Sequence, residues 1–207
     1  MSITKQAQLA KEASLKLAVL PAKTKNKALI AIAKALKNNS NAILQANKKD
    51  VEKAEKSGLG QVLIKRLMLD KHKISEMAEE ARSVARLEEP VGRVLSQVEL
   101  DKGLMLYQVA CPIGVIGAIF ESRPDAVVQI SALCLKSGNS VILKGGSEAK
   151  NSNRILVGII SKAAEKNGIP KNCIDFGPDN GPGSFQSLQG PGPNDRPGDP
   201  KQRAIHR

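Results

Sequence analysis

Apolar and polar positions alternate at helical spacing through residues 4–87. One clear apolar stripe consists of Leu29, Ile32, Ala33 and Leu36. Because side chains three and four positions apart share one face of a helix, the pattern predicts several amphipathic helices. The expected breaks are Pro21, the region of Ser40, and residues 57–60. Asp70 is the expected N-cap of a last helix that reaches Leu87. We interpret this region as a helical layer and not as a catalytic surface.

Two segments of alternating apolar residues, 94–100 and 104–110, predict a β-hairpin. Asp101, Lys102 and Gly103 lie between them, with glycine at the position that requires a positive φ. A hairpin leaves a strand edge that must be protected, and pairing with another subunit is one way to protect it. The hairpin therefore suggests a homo-oligomer for the full-length form.

Two short apolar runs, Gly114–Phe120 and Ser140–Lys144, lie a helix length apart. Runs of this kind are typical of parallel strands that are buried on both faces, so the segment predicts a βαβ unit. The intervening helix is expected from Pro124 to Ser137. Its predicted apolar face consists of Val127, Ile130, Ala132, Leu133 and Leu135.

A further helix is expected after the second strand, capped by Asn151 and Ser152. Its apolar stripe consists of Ile155, Leu156, Ile159, Ile160 and Ala163. Residues 173–176 predict a third strand. Residues 177–207 hold 6 Gly and 6 Pro in 31 positions, a composition that predicts a disordered tail.

The predicted organisation is an α/β chain in three parts. Residues 1–110 form helices and the hairpin, residues 111–176 form a partial nucleotide-binding βαβ domain, and residues 177–207 form the tail. The sequence has no signal peptide at its beginning and no apolar run near the ~18 residues that cross a bilayer, so a cytoplasmic protein without a membrane partner is expected.

The net charge of +12 is concentrated in the helical layer. Residues 1–87 carry 18 Lys+Arg against 8 Asp+Glu, whereas residues 88–207 carry 14 against 12. Lysine-rich helix faces are usually solvated surface, so we do not expect a nucleic-acid partner. Three cysteines at irregular spacing predict reduced thiols, with neither a disulfide framework nor a zinc site, and no metal is expected.

Polar residues gather where the two predicted parallel strands end. Ligands of open α/β sheets bind beyond these carboxyl ends. We call these two strand ends the first and second corners. At the first corner, Arg123 stands beside the free N–H groups at the start of a helix and can hold an anion or a developing oxyanion. A local ion pair of Arg123 with Glu121 or Asp125 explains the presence of this arginine equally well. At the second corner, Lys144, Gly145, Gly146 and Glu148 offer a cation, an open backbone and a carboxylate to a nucleotide.

The same corners carry long motifs: PIGVIGAIFESRP from Pro112, ALCLKSGN from Ala132, and VILKGG from Val141. With them, residues 4–176 resemble the glutamate-5-semialdehyde dehydrogenases, also called gamma-glutamyl phosphate reductases, of the aldehyde dehydrogenase superfamily. The resemblance implies an aldehyde-dehydrogenase-like α/β fold: an N-terminal helical layer, a β-hairpin and the first part of a Rossmann-like parallel sheet, truncated.

The resemblance also implies a reaction of proline biosynthesis, in which NADPH reduces L-glutamate 5-phosphate to glutamate 5-semialdehyde and phosphate through a cysteine thioester. It places Lys144 and Glu148 by the adenine ribose of NADP(H), beside Gly145 and Gly146, and Arg123 near the substrate phosphate or oxyanion.

The nucleophilic cysteine of such enzymes has no counterpart in Cys111, Cys134 or Cys173, because it comes later in a full-length member. We therefore expect a truncated or frame-shifted form that is inactive alone. Two alternatives stay open: a superfamily member with another acyl substrate, and a non-catalytic helical and βαβ module that binds a partner subunit or an anionic polymer.

Overall fold

The computed structural model describes residues 2–177, which contain seven α-helices and five β-strands. The helices are α1 (Ile3–Ala18), α2 (Ala22–Asn38), α3 (Ser40–Lys56), α4 (Gln61–Leu67), α5 (Lys71–Arg86), α6 (Pro124–Lys136) and α7 (Lys150–Glu165). The strands are β1 (Val94–Asp101), β2 (Leu104–Val109), β3 (Val115–Phe120), β4 (Ser140–Gly145) and β5 (Ile174–Phe176). Apart from Gly177, the predicted tail lies outside the described residues.

The helical layer predicted from periodicity is confirmed. The central helix α2 packs against α5 and α7, and its stripe residues Leu29, Ile32 and Leu36 are buried. Asp70 caps α5 as expected, since its Oδ1 accepts a hydrogen bond of 2.7 Å from the backbone N–H of Lys73. None of the helices between residues 2 and 177 is long and apolar enough to cross a membrane.

The predicted parallel sheet is also confirmed, with strand order β3-β4-β5. Strand β3 pairs with β4 from Val115 opposite Ser140 to Phe120 opposite Gly145. Strand β5 pairs with the other edge of β4, in parallel. The central strand therefore has partners on both sides.

Burial differs between the two strands that were predicted to be buried on both faces. In β4, Val141 and Ile142 point to opposite faces and are both buried, so both faces are covered. The same prediction for β3 is wrong, because Ile119 is 62% exposed and the strand is only partly buried. Among the described residues β3 pairs with β4 alone and is therefore an edge strand.

The hairpin of β1 and β2 forms as predicted, with Gly103 at φ +79° in its turn. Every residue of both strands is exposed. Large apolar side chains such as Leu106 and Tyr107 are among them, on opposite faces of the hairpin. The described chain therefore leaves both faces of this hairpin uncovered.

A buried lysine joins the helical layer to the rest of the fold. Lys25 of α2 is 1% exposed, and its Nζ donates to Glu89 Oε1 at 2.5 Å and to the carbonyl oxygen of Lys136 at 3.2 Å. Because a buried charge is costly without partners, these two bonds fix α2 to the segment before the hairpin and to the end of α6.

Leu133, predicted on the buried face of α6, is 54% exposed, and that part of the prediction is wrong. It borders an open cleft between α5 and α6 that Val84 also lines. Val127, Ala132 and Leu135, predicted on the same face, are buried as expected.

The start of α7 also differs from the prediction. The helix begins at Lys150, after a 3₁₀ turn at Ser147–Ala149, and neither Asn151 nor Ser152 is its N-cap. Asp50 of α3, only 2% exposed, supplies the cap from a distant part of the chain. Its Oδ1 accepts from the backbone N–H of Asn151 at 3.1 Å, and its Oδ2 accepts from the backbone N–H of Ser152 at 2.7 Å and from Ser152 Oγ at 2.6 Å.

Asn47, one helical turn before Asp50, extends this buried contact. Its Nδ2 donates to the carbonyl oxygen of Leu67 at 2.8 Å and to Ser152 Oγ at 3.0 Å, while its Oδ1 accepts from Leu69 N at 2.8 Å. Asn47 and Asp50 thus bind α3 to both the end of α4 and the start of α7.

We predict that Asp50→Ala lowers the free energy of unfolding by about 2 kcal/mol or more, because several buried donors at the start of α7 lose their acceptor. Urea unfolding followed by circular dichroism measures this change. The matched control is Asp70→Ala, an exposed N-cap on α5 whose loss is expected to cost about 1 kcal/mol. A loss for Asp50→Ala no larger than that of the control contradicts the assignment.

Candidate functional site at the ends of β3 and β4

The two polar corners predicted from the sequence lie side by side. Strands β3 and β4 end level, with Phe120 opposite Gly145, so the segments that follow them leave the same edge of the sheet. A direct contact joins them: Glu148 Oε1 accepts from the backbone N–H of Ser122 at 2.6 Å and from Ser122 Oγ at 3.0 Å. The corners therefore form one candidate site.

Ser122 is a residue that the sequence analysis did not single out. It is 4% exposed and has φ +44°, in the left-handed region that residues with a side chain rarely adopt. Conformations of this kind persist where surrounding contacts hold them and are frequent at functional sites. The two hydrogen bonds that Ser122 donates to Glu148 supply that restraint. The short motif Glu-Ser-Arg-Pro was visible in the sequence, but nothing in it indicated the conformation.

Gly145 and Gly146 make room for side chains of the protein itself. A Cβ on Gly146 would lie 2.1 Å from Glu148 Oε1, and a Cβ on Gly145 would lie 2.0 Å from Asn153 Nδ2. Any larger residue at either position must displace the Glu148 carboxylate or the Asn153 amide. Gly146 therefore permits the contact between the corners, and Gly145 makes room for the Asn153 amide.

Asn153 is a second residue that the sequence reasoning did not assign to the site. Its side chain is fully buried in the first turns of α7, and neither Nδ2 nor Oδ1 has a hydrogen-bond partner within residues 2–177. Buried amides are nearly always paired, so an unpaired one at the edge of a candidate site is notable.

Lys144 lies on β4 opposite Ile119 and is partly buried. Register partners in a parallel pair point to the same face, so Lys144 shares its face with the exposed Ile119. Glu148 lies in the 3₁₀ turn that follows. Lys144 and Glu148 therefore flank the turn at 146–147, in which Gly146 is half-buried and Ser147 is exposed.

Arg123 precedes α6 and pairs with Asp125, Nη2 to Oδ2 at 2.8 Å, the local ion pair that the sequence allowed. Its side chain stays 53% exposed. The hydrogen bond and charge of Asp125, together with the charge of Glu80, raise the pKa of Arg123 above its usual value. The guanidinium also lines a cleft of about 440 Å³ between α4, α5 and α6.

The three cysteines are separate from this site chemistry. Cys134 and Cys173 are buried and Cys111 is exposed. Burial of Cys134 was expected from its place between Leu133 and Leu135 and is confirmed. Within residues 2–177, no three His, Cys, Asp or Glu side chains come together in a way that would hold a metal ion.

The sequence is similar to curated gamma-glutamyl phosphate reductases, as the motifs predicted. It is 52% identical to that of Acetivibrio thermocellus over 174 residues, which cover 84% of this chain and 40% of the relative. It is 55% identical to that of Ruminiclostridium cellulolyticum over 162 residues, which cover 78% of this chain and 38% of the relative. The chain thus spans about two fifths of the length of these relatives.

The fold leads to the same group. The crystal structure of a gamma-glutamyl phosphate reductase from Thermotoga maritima matches with a TM-score of 0.84 and 38% identity, over 91% of this chain and 44% of that one. Residues 1–188 match the family described as the aldehyde dehydrogenase family, a range that runs past the 4–176 marked by the motifs. The chain belongs to the aldehyde dehydrogenase family.

Proposed function

We propose that this chain is the amino-terminal, nucleotide-binding part of a gamma-glutamyl phosphate reductase. The reaction is reduction of L-glutamate 5-phosphate to L-glutamate 5-semialdehyde and phosphate in the proline pathway of the cytoplasm. The main support is the hydrogen bond between Ser122 and Glu148, which connects the ends of β3 and β4. It lies in a segment about half identical to relatives of that name. This combination favours an oxidoreductase over a module that binds an anionic polymer.

NADP(H) is the proposed cofactor, and it supplies the hydride when bound. The residues at the end of β4 fit its ribose end: Lys144 supplies the cation for a 2′-phosphate, and Glu148 supplies a carboxylate for a ribose hydroxyl. Both hydrogen bonds to Ser122 use Glu148 Oε1, so Oε2 is the oxygen that we propose for the ribose. Gly145 and Gly146 are the proposed backbone contacts of the cofactor, because neither carries a side chain; the places that a Cβ would take are filled by the Asn153 amide and the Glu148 carboxylate.

The N-terminus of α7 does not fit a cofactor phosphate. Helix N-termini commonly bind phosphate through free N–H groups, but here Asp50 already occupies those of Asn151 and Ser152. Its buried carboxylate would also repel a phosphate. Recognition of the cofactor phosphates within this segment therefore falls to side chains, and Lys144 is the cation at the strand end.

Arg123 is the proposed contact for the substrate phosphate or the developing oxyanion. Asp125 holds its guanidinium in place at the start of α6. Because the pKa of Arg123 is raised, the side chain stays a cation at every physiological pH.

The nucleophilic cysteine is proposed to lie outside residues 2–177, so that this chain alone does not turn over substrate. Burial raises the pKa of Cys134 and of Cys173 to about 11. Since the thiolate is the nucleophile, both thiols are unreactive near neutral pH. Cys111 is exposed, two residues after β2 ends at Val109.

The exposed hairpin is the proposed subunit contact. Both of its faces carry large uncovered side chains, including Leu106 and Tyr107, and its outer edges offer unpaired backbone groups. Association of the full-length protein through this hairpin would bury them.

Substitution of Lys144 should weaken the binding of NADPH more than that of NADH. We predict that Lys144→Ala raises the Kd for NADPH about tenfold and changes the Kd for NADH less than about twofold, because only NADPH carries the 2′-phosphate. Titration calorimetry measures both, with Lys48→Ala, a lysine 78% exposed on α3, as the control. Equal changes for both cofactors, or no NADPH binding by the unmodified chain, would contradict the proposed site.

Thiol reactivity checks the cysteine assignment. At pH 7.5 we predict that Ellman's reagent modifies Cys111 quickly in the folded chain, whereas Cys134 and Cys173 react only after unfolding in urea. The pKa of these two thiols rises from 9.0 to about 11 on folding, so the folded state binds their protons more tightly. The free energy of unfolding should therefore fall as the pH rises from 9 towards 11. Fast reaction of a second thiol in the folded chain would show the assignment to be wrong.

A further inference from the structure

The cleft between α4, α5 and the first turn of α6 has a volume of about 440 Å³, within the range of small-molecule sites. Its walls carry both signs of charge, with Lys65 and Arg66 on α4 and Glu80 on α5. Leu69 and Met77, both buried, supply an apolar floor. A cleft of this composition suits a ligand that carries both a positive and a negative group on an aliphatic chain.

Some of the charged groups around the cleft are already committed to the protein. Lys73 Nζ donates to the carbonyl oxygen of Met68 at 2.6 Å and to that of Lys65 at 3.4 Å, which closes the end of α4. Asp125 binds Arg123. These contacts shape the cleft.

Two other charged groups, Lys65 and Arg66, are not committed in this way, and Glu80 is committed through one oxygen only. Within residues 2–177, the side chains of Lys65 and Arg66 make no hydrogen bond or ion pair. Glu80 Oε1 accepts from Gln129 Nε2 at 3.1 Å, but Glu80 Oε2 is buried without a partner. An unpaired buried carboxylate oxygen is costly, so a donor at this place would stabilise the site.

We propose that this cleft binds the α-amino acid end of the acyl phosphate substrate. Arg66 binds the α-carboxylate, Glu80 accepts from the α-ammonium, and the aliphatic carbons lie on Met77. Arg123, at the border between the cleft and the segment after β3, receives the phosphoryl end. This inference rests on the proposed function and deepens it, because it assigns residues that read the substrate's carbon skeleton.

The chemistry of each contact accounts for selectivity towards a ligand with both an α-carboxylate and an α-ammonium group. A guanidinium binds a carboxylate through two parallel N–H···O bonds, which fix its orientation. Glu80 is half-buried and its Oε2 has no partner, so it favours a ligand with an ammonium group over one without it, because the latter leaves this oxygen unpaired. An acyl phosphate without the amino acid end would lose both contacts.

The test uses this chain and L-glutamate as the probe, with binding followed by NMR chemical shifts. Glutarate, which lacks the ammonium, and 4-aminobutyrate, which lacks the α-carboxylate, report on the two contacts separately. We expect shifts at the facing parts of α4, α5 and α6, and weaker binding of both analogues than of L-glutamate.

Two variants assign the groups. Arg66→Ala should raise the Kd for L-glutamate about tenfold and leave that for 4-aminobutyrate within about twofold. Glu80→Gln should raise the Kd for L-glutamate about tenfold and leave that for glutarate within about twofold. Arg86→Ala and Glu52→Gln, exposed positions away from the cleft, are the matched controls and should change neither value.

The outcomes separate this inference from the proposed function. NADPH binding should stay unchanged in all four variants, since none lies at the end of β4. If the chain binds NADPH but shows no shifts in the cleft with L-glutamate, or if Arg66→Ala and Glu80→Gln bind it as the unmodified chain does, the inference is wrong and the nucleotide site stands. If L-glutamate binds in the cleft and NADPH does not bind, the proposed reductase function fails instead.

Discussion

The parallel pairing of β3 with β4 is the constraint on which the candidate site depends. It sets Phe120 level with Gly145, so that the segments after both strands begin at the same height above the sheet. At that height Glu148 reaches across to Ser122 and holds its backbone in a left-handed conformation. Gly146 makes this contact possible, because a Cβ at that position would occupy the place of the Glu148 carboxylate. A shift of register by one residue would remove this contact and invert every side chain of β3.

The helical layer contributes more than a cover for the sheet. Asp50 occupies the N–H groups of α7 that a phosphate would otherwise use, and Asn47 ties the same place to the end of α4. The electrostatics of the site therefore depend on side chains such as Lys144 and Arg123 and not on the helix terminus after β4. The cleft beside Arg123 is likewise built largely from α4 and α5, the region that the sequence pattern suggested was without catalytic interest.

The sequence predicts what is local. Helices α1 to α5, the hairpin, the βαβ unit and the third strand all follow from apolar periodicity and turn residues, and the structure confirms them. The predicted cap of α7 failed because the actual cap, Asp50, lies about 100 residues earlier in the chain. The predicted burial of β3 failed because an apolar run does not indicate which strand lies at the edge. Motif reading located both corners of the site, but the contact of Ser122 with Glu148 and the charges of the cleft depend on tertiary packing.

The central claim is that Glu148 holds the segment after β3 in place. Amide hydrogen exchange at Ser122, followed by NMR, tests it most directly, because that N–H donates to Glu148 at 2.6 Å. The account predicts a protected amide in the unmodified chain and exchange at least about tenfold faster in Glu148→Ala, with Glu55→Ala, an exposed position on α3, unchanged. Equal exchange of the Ser122 amide in the unmodified chain and in Glu148→Ala would contradict it.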